Sequence, residues 1–376
     1  FQRRRERAAE NAGDRMNSEF INSIMNHYAF NEPILDPLYE LEVAKGYLPF
    51  ITLDQLNQLA QKFITEENRI LLVSSPKREG LQIPSEQEFL DIMKKVEDME
   101  IQAYAEEVSD EPIVNPDALV PGTILEQKEG AYESVVWTLS NGIKVVVKPT
   151  THKKDEVLFS LQNDGGLSII PEELLPSVEN TVFSFWMQNN GVGNFSATSL
   201  KRKLTGKIAS AGPFIRSYSQ GITGSASPQD IQTLLELVYA HIVTPRFVER
   251  EYEASMAQLK AIVPNIEKTP DFIFQKEVYK TIFNNNPRSQ LVSSELIQKI
   301  SLADLERAYR LCFANNNGAI VTIVGNVDPE TLKPLVELYL GSLPSATQPA
   351  VWVKDDNRIR KGSVDNHFKV LMETPK

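Results

Sequence analysis

The sequence predicts an α+β protein in which helices cover an antiparallel sheet, and two observations lead to this fold class. Segments with strand character and segments with helical periodicity occur in clusters, whereas a doubly wound fold would alternate them strictly. In addition, residues 51–75 resemble residues 300–324, and each segment contains an N-capped amphipathic helix, a polar turn and an apolar strand. A repeated unit within 376 residues indicates at least two domains.

The internal similarity has one constant offset and extends from the helix cap into the strand. Far more residues precede the second copy than the first, so we expect the chain to begin inside a domain. The matched pairs are Thr52 with Ser301, Leu53 with Leu302, Leu56 with Leu305, Asn68 with Asn317, Leu71 with Ile320 and Leu72 with Val321.

The first 75 residues are predicted to be mostly helical. Residues 1–30 have the periodicity of one long amphipathic helix, which is followed by a short helix, a second helix at 52–64 and a strand, "RILLVSS", at 69–75. The later apolar face of the first helix consists of Phe20, Ile21, Ile24, Met25 and Tyr28.

Residues 76–125 have the composition of a connector between domains. "SEQEFLDIMKKVEDMEIQAYAEEV", at 85–108, predicts an acidic helix, and the proline-rich "SDEPIVNPDALVPG" at 109–122 predicts an extended linker.

From about residue 131 the pattern becomes that of a sheet. "ESVVWTL" and "IKVVVKP" flank Asn141-Gly142, which predicts a β-hairpin, and "EVLFSLQN" predicts a third strand. After two helices, the second with Ser196 as N-cap, three short strands are predicted: "KIASA", "FIRSYSQ" and "GITGSAS".

The remainder of the chain is predicted to be mainly helical. A helix at 227–243 is expected to have Ser227 as its N-cap and Pro228 at its first position. Further helices are predicted near 247–264, 270–284, 293–299 and 302–313, followed by the strand "GAIVTIVG" and a helix at 328–341.

Composition excludes several classes of protein. The hydrophobic fraction of 41% and the charged fraction of 24% are ordinary for a soluble protein, and no apolar run approaches the length of a membrane span. A net charge of −11 without a basic stripe argues against nucleic-acid binding. The single cysteine, Cys312, excludes an internal disulfide framework and has the helical spacing of a core residue. The cysteine count does not distinguish a periplasmic from a cytoplasmic location.

Four segments, in this order, resemble the repeated domain of the M16 metallopeptidases, the pitrilysin/insulinase-like family. They are "LSNGIKVVVKP", "FSLQNDGGLS", the helix pair around Pro245 in "SPQDIQTLLELVYAHIVTPRFVEREYEASMAQLKAIV", and the ending "NNPRSQLVSSELIQKISLADLERAYRLCFANNNGAIVTIVGNVDP". The resemblance implies the LuxS/mitochondrial processing peptidase-like repeat fold. It also implies four parts: 1–75 as the tail of a preceding repeat, 76–125 as a connector, 126–345 as a complete repeat, and 346–376 as the lead-in to a further repeat.

Members of that family that cut peptides carry His-x-x-Glu-His on the first helix of the catalytic repeat, and a third ligand, a Glu, on a later helix. Two His on one helical face hold zinc, and the adjacent Glu takes a proton from the zinc-bound water. Here the His, Glu and His positions of the motif fall on Val182, Phe185 and Trp186. The position of the third zinc ligand falls on Ile262–Val263. Only Glu179 within "VENTVFSFWMQNNGVG" (178–193) could bind zinc, so no catalytic, cofactor-binding or metal residue is expected in this chain.

Other candidate site residues favour structural roles. The aromatic stripe of the 178–193 helix predicts core packing, with an aromatic ligand pocket as the alternative. "GVG" at 191–193 follows a helix and lacks the rest of a phosphate loop. His241 is expected to be a core residue, and the acidic clusters are expected to be solvated. The other histidines are His27, His152 and His367, and the acidic clusters are Glu172-Glu173 and Glu249-Glu251-Glu253.

The resemblance implies a function for the parent protein, a zinc metalloendopeptidase whose two halves close like a clamshell around a peptide. This chain would be a non-catalytic part, and its partners would be the zinc-bearing upstream repeat, the final repeat and the peptide substrate. Two alternatives stay open: a non-catalytic M16-like partner subunit or scaffold, and an unrelated α+β binding module in which the internal repeat is a coincidence.

Overall fold

Seven strands form one mixed sheet in the computed structural model, which describes residues 1–63, 67, 69–75, 80–100 and 111–369. The spatial order of the strands is β1-β2-β3-β7-β4-β6-β5. The strands are β1 Ile124–Glu129, β2 Val135–Leu139, β3 Lys144–Pro149, β4 Val157–Asp164, β5 Ala209–Ile215, β6 Ser219–Ala226 and β7 Ile320–Gly325.

The α+β prediction is confirmed, and one strand pair departs from the predicted antiparallel pattern. β7 pairs with β4 in antiparallel orientation and with β3 in parallel orientation, with Val145 opposite Val321 and Val147 opposite Ile323. A parallel pairing needs a long crossover, and the chain between β3 and β7, which includes β4, β5, β6 and several helices, supplies it.

The predicted hairpin at Asn141-Gly142 is present between β2 and β3. Gly142 has a φ of 85°, a left-handed conformation that suits glycine. The side-chain amide of Asn141 donates to the carbonyl oxygens of Leu340 at 2.8 Å and Gly341 at 3.1 Å. The hairpin tip therefore fixes the segment that follows the last helix.

Alternating residues of the central strands form the main core. Along β4, Val157, Phe159 and Leu161 are buried, whereas Leu158 between them is half exposed. Val321 and Ile323 of β7 are completely buried, so the strand that joins the two parts of the sheet contributes to the same core.

Some of the helices that follow β4 in the chain pack against this sheet, and others form a second, smaller apolar cluster. Helix Ile231–Val243 packs against β5 and β6, and helix Leu302–Phe313 contacts β6. Helices Asn180–Asn189 and Ser294–Ile297 pack against helix Glu249–Ile266. Within the described residues the helices are α1 Gln2–Glu10, α2 Asn17–Phe30, α3 Pro37–Tyr47, α4 Leu53–Gln61, α5 Glu86–Glu97, α6 Asn180–Asn189, α7 Ala197–Lys203, α8 Ile231–Val243, α9 Glu249–Ile266, α10 Pro270–Ile282, α11 Ser294–Ile297, α12 Leu302–Phe313 and α13 Pro329–Leu335.

The prediction of one continuous helix over residues 1–30 is wrong. A 3₁₀ turn at Ala12–Asp14 separates α1 from α2, because Gly13 and its polar neighbours are poor helix formers. The residues of the predicted apolar face on α2 are exposed, with Tyr28 exposed to 92%.

The predicted strand at 69–75 is absent. Ile70 and Leu72 are 92% and 86% exposed, and residues 69–75 lack strand geometry. The corresponding strand of the second copy, β7, lies between β3 and β4, whereas the described residues before 69 contain no strand to pair with. Asn68, one of the matched positions, lies outside the described residues.

Three details of the second half also differ from the prediction. The three predicted short strands are two, β5 and β6, joined by a turn in which the Arg216 amide donates to the Ser219 carbonyl. The sequence does not predict β1, because five of its six residues are exposed and apolar alternation is lacking. Ser227 does not cap the backbone of α8. Its hydroxyl instead donates to the Asp230 carboxylate at 2.7 Å.

The chain divides into two compact units by its contacts. One consists of Phe1–Ala9 and Ser23–Val108, and the other of Glu10–Asn22 and Ser109–Lys376. The predicted acidic helix at 85–108 is present only as the shorter α5, which begins with a capping box between Ser85 and Glu88 and ends at Glu97. Residues 98–100 are not helical, and residues 101–108 lie outside the described residues. None of the helices in the described ranges is both long and apolar enough to cross a bilayer.

Candidate functional site

Helix α6 lies at the positions where the family resemblance would require a zinc motif. The carboxylate of Glu179 accepts hydrogen bonds from the backbone amides of Thr181 at 2.9 Å and Val182 at 3.1 Å, which starts the helix. Burial raises the pKa of Glu179, and these amides offset part of that rise because they favour the ionised carboxylate. Glu179 therefore acts as a helix cap in this structure.

The glycine turn after α6 is a tight chain reversal. A Cβ atom on Gly191 would lie 1.8 Å from the carbonyl oxygen of Phe195, so only glycine fits there. The amides of Val192 and Gly193 already donate to the carbonyls of Phe195 and Thr244. The turn thus has a structural role and does not present these amides to a phosphate.

Val182, at the first motif position, belongs to the smaller apolar cluster between α6 and α9. Val182 and Val263 are both completely buried in this cluster, together with Met256 and Leu259 of α9. The neighbouring Ile262 is 45% exposed, so of the two residues at the third ligand position only Val263 faces α6. Aliphatic packing occupies the space between the two helices.

Trp186, at the last motif position, belongs to the main core. Its ring stacks on Phe247 with centroids 5.3 Å apart and meets the edge of Tyr309 at 6.2 Å. Phe185, at the middle position, is partly buried and packs against the smaller cluster. These contacts favour core packing of the aromatic stripe over a ligand pocket, because the Trp186 ring has almost no exposed surface.

The residues at the motif positions do not fit a zinc site. Zinc in proteins is held by thiolate, imidazole or carboxylate donors, and Val182, Phe185, Trp186 and Val263 carry none of these. Across the described ranges, no three His, Cys, Asp or Glu side chains are grouped so that they could hold a metal ion. No chemical step through zinc is therefore assigned to this chain's own residues.

His241 is a core histidine on α8. Its Nε2 lies 3.1 Å from the carbonyl oxygen of Ala211, and the hydroxyl of Tyr309 donates to the His241 carbonyl at 2.7 Å. Burial lowers the pKa of His241 to about 4, because the charged imidazolium would be desolvated, and the bond to Ala211 offsets only part of this effect. His241 is neutral at neutral pH.

The remaining sequence candidates do not gather into one site. Cys312 is buried, and burial raises the pKa of its thiol to about 12, which removes its nucleophilic thiolate. His152 is exposed, and His367 contacts Asp365 at the surface. Glu251 binds Arg246 through two nitrogens, at 2.9 Å to each of its oxygens.

A large open cleft lies beside the N-terminus of α6. It has a volume of about 1210 Å³, and its walls come from the 3₁₀ segment Glu172–Val178, the start of α6, helix α10 and the segment 287–299, which contains α11. No local sequence pattern predicts this cleft, because two stretches that are distant in sequence, 172–181 and 272–299, form most of its lining. Two of the sequence candidates fall in it, Glu179 and the Glu172-Glu173 pair, and the pattern of the pair predicts only a solvated helix end.

Arg288 supports one side of the cleft. Its Nη1 donates to the carbonyl of Leu167 and, at 3.0 Å, to that of Ile170, while its Nε lies 3.7 Å from the carboxylate of Asp355. Asp355 in turn accepts a hydrogen bond from the hydroxyl of Tyr218 at 2.8 Å. The guanidinium group of Arg288 is thus bound by two backbone carbonyls and a carboxylate of the protein.

Comparison with characterised sequences gives PqqL-type proteases as relatives. No protein-family model matches the chain. A protein of Arabidopsis thaliana named zinc protease PQQL-like is 25% identical over 334 residues, which cover 87% of this chain and 32% of that protein. The probable zinc protease PqqL of Haemophilus influenzae is 22% identical over 88% of this chain and 35% of its own length. The chain thus spans about a third of the length of these relatives.

Solved structures show the same fold. The periplasmic protease PqqL from Escherichia coli matches 94% of this chain and 39% of its own, with a TM-score of 0.56 and 19% identity. A mutant of the ferredoxin protease FusC, solved in complex with Arabidopsis ferredoxin, matches 95% of this chain and 40% of its own, with a TM-score of 0.54 and 18% identity.

These matches agree with the resemblance that the sequence motifs indicated. The matched relatives are named zinc proteases, and the matched structures are M16-like proteases with the same arrangement of sheet and helices. The chain is therefore similar in sequence to proteins named PqqL-like zinc proteases and has the α+β fold of the matched structures.

Proposed function

We propose that this chain is a non-catalytic part of a zinc-dependent metalloendopeptidase and helps to enclose peptide substrates in a clamshell chamber. The zinc site would lie in an upstream repeat that this chain does not contain. The observation that supports the proposal is the burial of Val182 and Val263 in one apolar cluster, at the positions that resemble zinc-ligand positions.

Helices α6 and α9 form a packed pair, but the side chains at the motif positions have no metal-binding donor atoms. In a zinc-binding repeat the space between the two helices must stay polar and open to water. Here α6 and α9 fill that space with aliphatic side chains, which stabilises the helix pair as a wall. A helix pair without metal-binding donor atoms can help to enclose a substrate, but it cannot hold the zinc that hydrolysis needs.

The first experiment combines metal analysis with reconstitution. The chain, purified without chelators, is expected to contain far less than one zinc per molecule and to leave an unfolded peptide intact. Addition of the separately expressed upstream segment of the same gene is expected to increase peptide cleavage above that of the segment alone. One firmly bound zinc per chain, or cleavage by the chain alone, would contradict the proposal.

The alternative is a partner subunit or scaffold whose own gene encodes no protease site. The continuous core of the sheet and its helices fits this alternative, because such a unit needs no catalytic residues to fold. The two functions differ in the gene upstream of residue 1. An encoded His-x-x-Glu-His supports the single-chain protease, whereas a degenerate repeat there supports a partner subunit whose active subunit comes from another gene.

A further inference from the structure

The cleft beside α6 has a wall of apolar and aromatic side chains. Tyr279 and Phe283 of the α10 region lie in contact, with ring centroids 5.7 Å apart, and Tyr279 remains 37% exposed. Leu175, Phe272 and Leu291 extend this wall. Partly exposed aromatic rings in a concave surface are typical of binding surfaces, because they offer a large apolar area with few rotatable bonds.

The same cleft carries negative charge that the protein does not neutralise. Glu172 and Glu173 are exposed, and within the described part of the chain neither side chain has a hydrogen-bond or ion-pair partner. The carboxylate of Glu179 also lines the cleft. The basic residues there are engaged: Arg288 by Asp355 and wall carbonyls, and Lys299 by Glu295 at 2.8 Å.

We propose that this cleft binds an extended peptide segment in which a lysine or arginine is adjacent to an apolar residue. The basic side chain meets Glu172 and Glu173, and the apolar side chain packs on Tyr279 and Phe283. This inference rests on the proposed function, because it names the class of peptide that the enclosing wall retains.

Size and charge select this occupant over others. The volume of about 1210 Å³ exceeds the usual range of small-molecule pockets. An acidic peptide would be repelled by the unpaired carboxylates, and an entirely polar basic peptide would leave the aromatic wall in water. Only a segment that combines both features is complementary to the cleft.

The test measures peptide binding to the full chain by fluorescence anisotropy. The probe is a fluorescein-labelled peptide of alternating Lys and Leu, compared with a Glu-Leu and a Lys-Ser peptide of the same length. We expect the Lys-Leu peptide to bind roughly tenfold more tightly than either at low salt, because exposed ion pairs and apolar contacts each contribute modestly. High salt should reduce the difference between the Lys-Leu and Glu-Leu peptides.

Matched variants separate the cleft from the overall charge of the chain. The double variant Glu172→Gln/Glu173→Gln is expected to weaken Lys-Leu binding about fivefold. The control Glu249→Gln/Glu253→Gln removes the same charge from exposed positions of α9 that do not line the cleft and should leave binding unchanged. Tyr279→Ser should weaken binding, whereas Phe274→Ser, on the same helix but outside the cleft, should not.

Three outcomes would overturn the inference. These are equal binding of all three peptides, equal effects of the cleft and control variants, and absence of peptide binding in a chain that elutes at twice its mass of 42.3 kDa. The last outcome would indicate that a second copy covers the cleft. None of them decides the proposed function, because the reconstituted cleavage assay does not depend on peptide charge.

Discussion

His241 is a single residue whose burial gives the whole protein a measurable pH dependence. Its pKa is about 4 in the folded chain and about 6.5 when unfolded, so folding favours the neutral imidazole. This stabilisation is fully present above about pH 6.5 and is lost as the pH falls towards 4. We expect the free energy of unfolding to drop by about 2 kcal/mol between pH 7 and pH 5, as measured by urea denaturation at each pH.

The variant His241→Gln isolates this effect from the titration of other groups. Glutamine keeps an N–H donor for the Ala211 carbonyl but has no titratable group. Its stability should change less between pH 7 and pH 5 than that of the natural chain. The same slope in both proteins would show that His241 is not the residue responsible.

Substitution of Trp186 tests directly whether the aromatic side chains of α6 pack in the core. Trp186→Ala removes the contacts with Phe247 and Tyr309 and leaves a cavity in the main core. We expect a loss of about 3–5 kcal/mol in the free energy of unfolding, measured by circular dichroism during denaturation. Phe274→Ala, at an exposed position of α10, should cost far less. Similar losses for both would argue that Trp186 does not lie in a close-packed core.

For single residues, the sequence predicted burial better than it predicted which side chains pack against each other. Helical spacing indicated burial of the α6 stripe, and Val182 and Trp186 are fully buried while Phe185 is partly so; Cys312 and His241 are also core residues. Spacing could not reveal that Val182 and Trp186 belong to different apolar clusters. That division depends on α9 and α12, which approach α6 only in the folded chain.

Among the elements, the two similar segments show how context decides structure. α4 and α12 both begin with a hydroxyl cap, from Thr52 and Ser301, so local sequence specifies both helices. The apolar residues after them differ in outcome, because Val321 is buried in β7 whereas its match Leu72 is 86% exposed. A strand needs neighbouring strands to pair with, and only the second copy has them in the described residues.

This difference predicts unequal effects of the same substitution at matched positions. Val321→Asp places an unpaired charge in the main core, and we expect it to prevent stable folding of the sheet or to cost more than about 4 kcal/mol. Leu72→Asp should change stability by less than about 0.5 kcal/mol, because the side chain stays in water. Thermal melting followed by circular dichroism compares the two. A severe effect of Leu72→Asp would indicate that residues 69–75 pair with another strand in solution.

The errors in predicting strands have the same cause, because pairing with strands distant in sequence decides where a strand forms. The local pattern divides β5 and β6 into three strands, because a proline such as Pro213 usually interrupts a strand. β5 is the edge strand of the sheet and tolerates a proline there. The polar sequence of β1 also has no strand pattern, and its position is set by pairing with β2. Local patterns therefore predicted helices more reliably than strands.

The whole molecule consists of two units that bury very different amounts of their residues. Among the described residues up to 100, only Ala9, Pro37 and Ala44 are buried, whereas the sheet and its helices contain the main core. The fold class followed from the sequence because it depends on the order of elements. The cleft did not, because its walls meet only after helices α6 and α10 have packed.

Hydrogen exchange tests this contrast across the whole chain. Backbone amides exchange through local opening where few apolar contacts resist it, so the amides of α3 and α4 should exchange much faster than those of β3, β4 and β7. The central position of β7, hydrogen-bonded on both sides, should make it among the most protected segments. Mass spectrometry of peptic fragments gives both rates in one experiment. In the Val321→Asp chain, protection of the sheet should collapse while exchange in residues 37–61 stays unchanged. Equal protection of both regions in the natural chain would mean that α3 and α4 are stabilised by packing that their exposed apolar residues do not reveal.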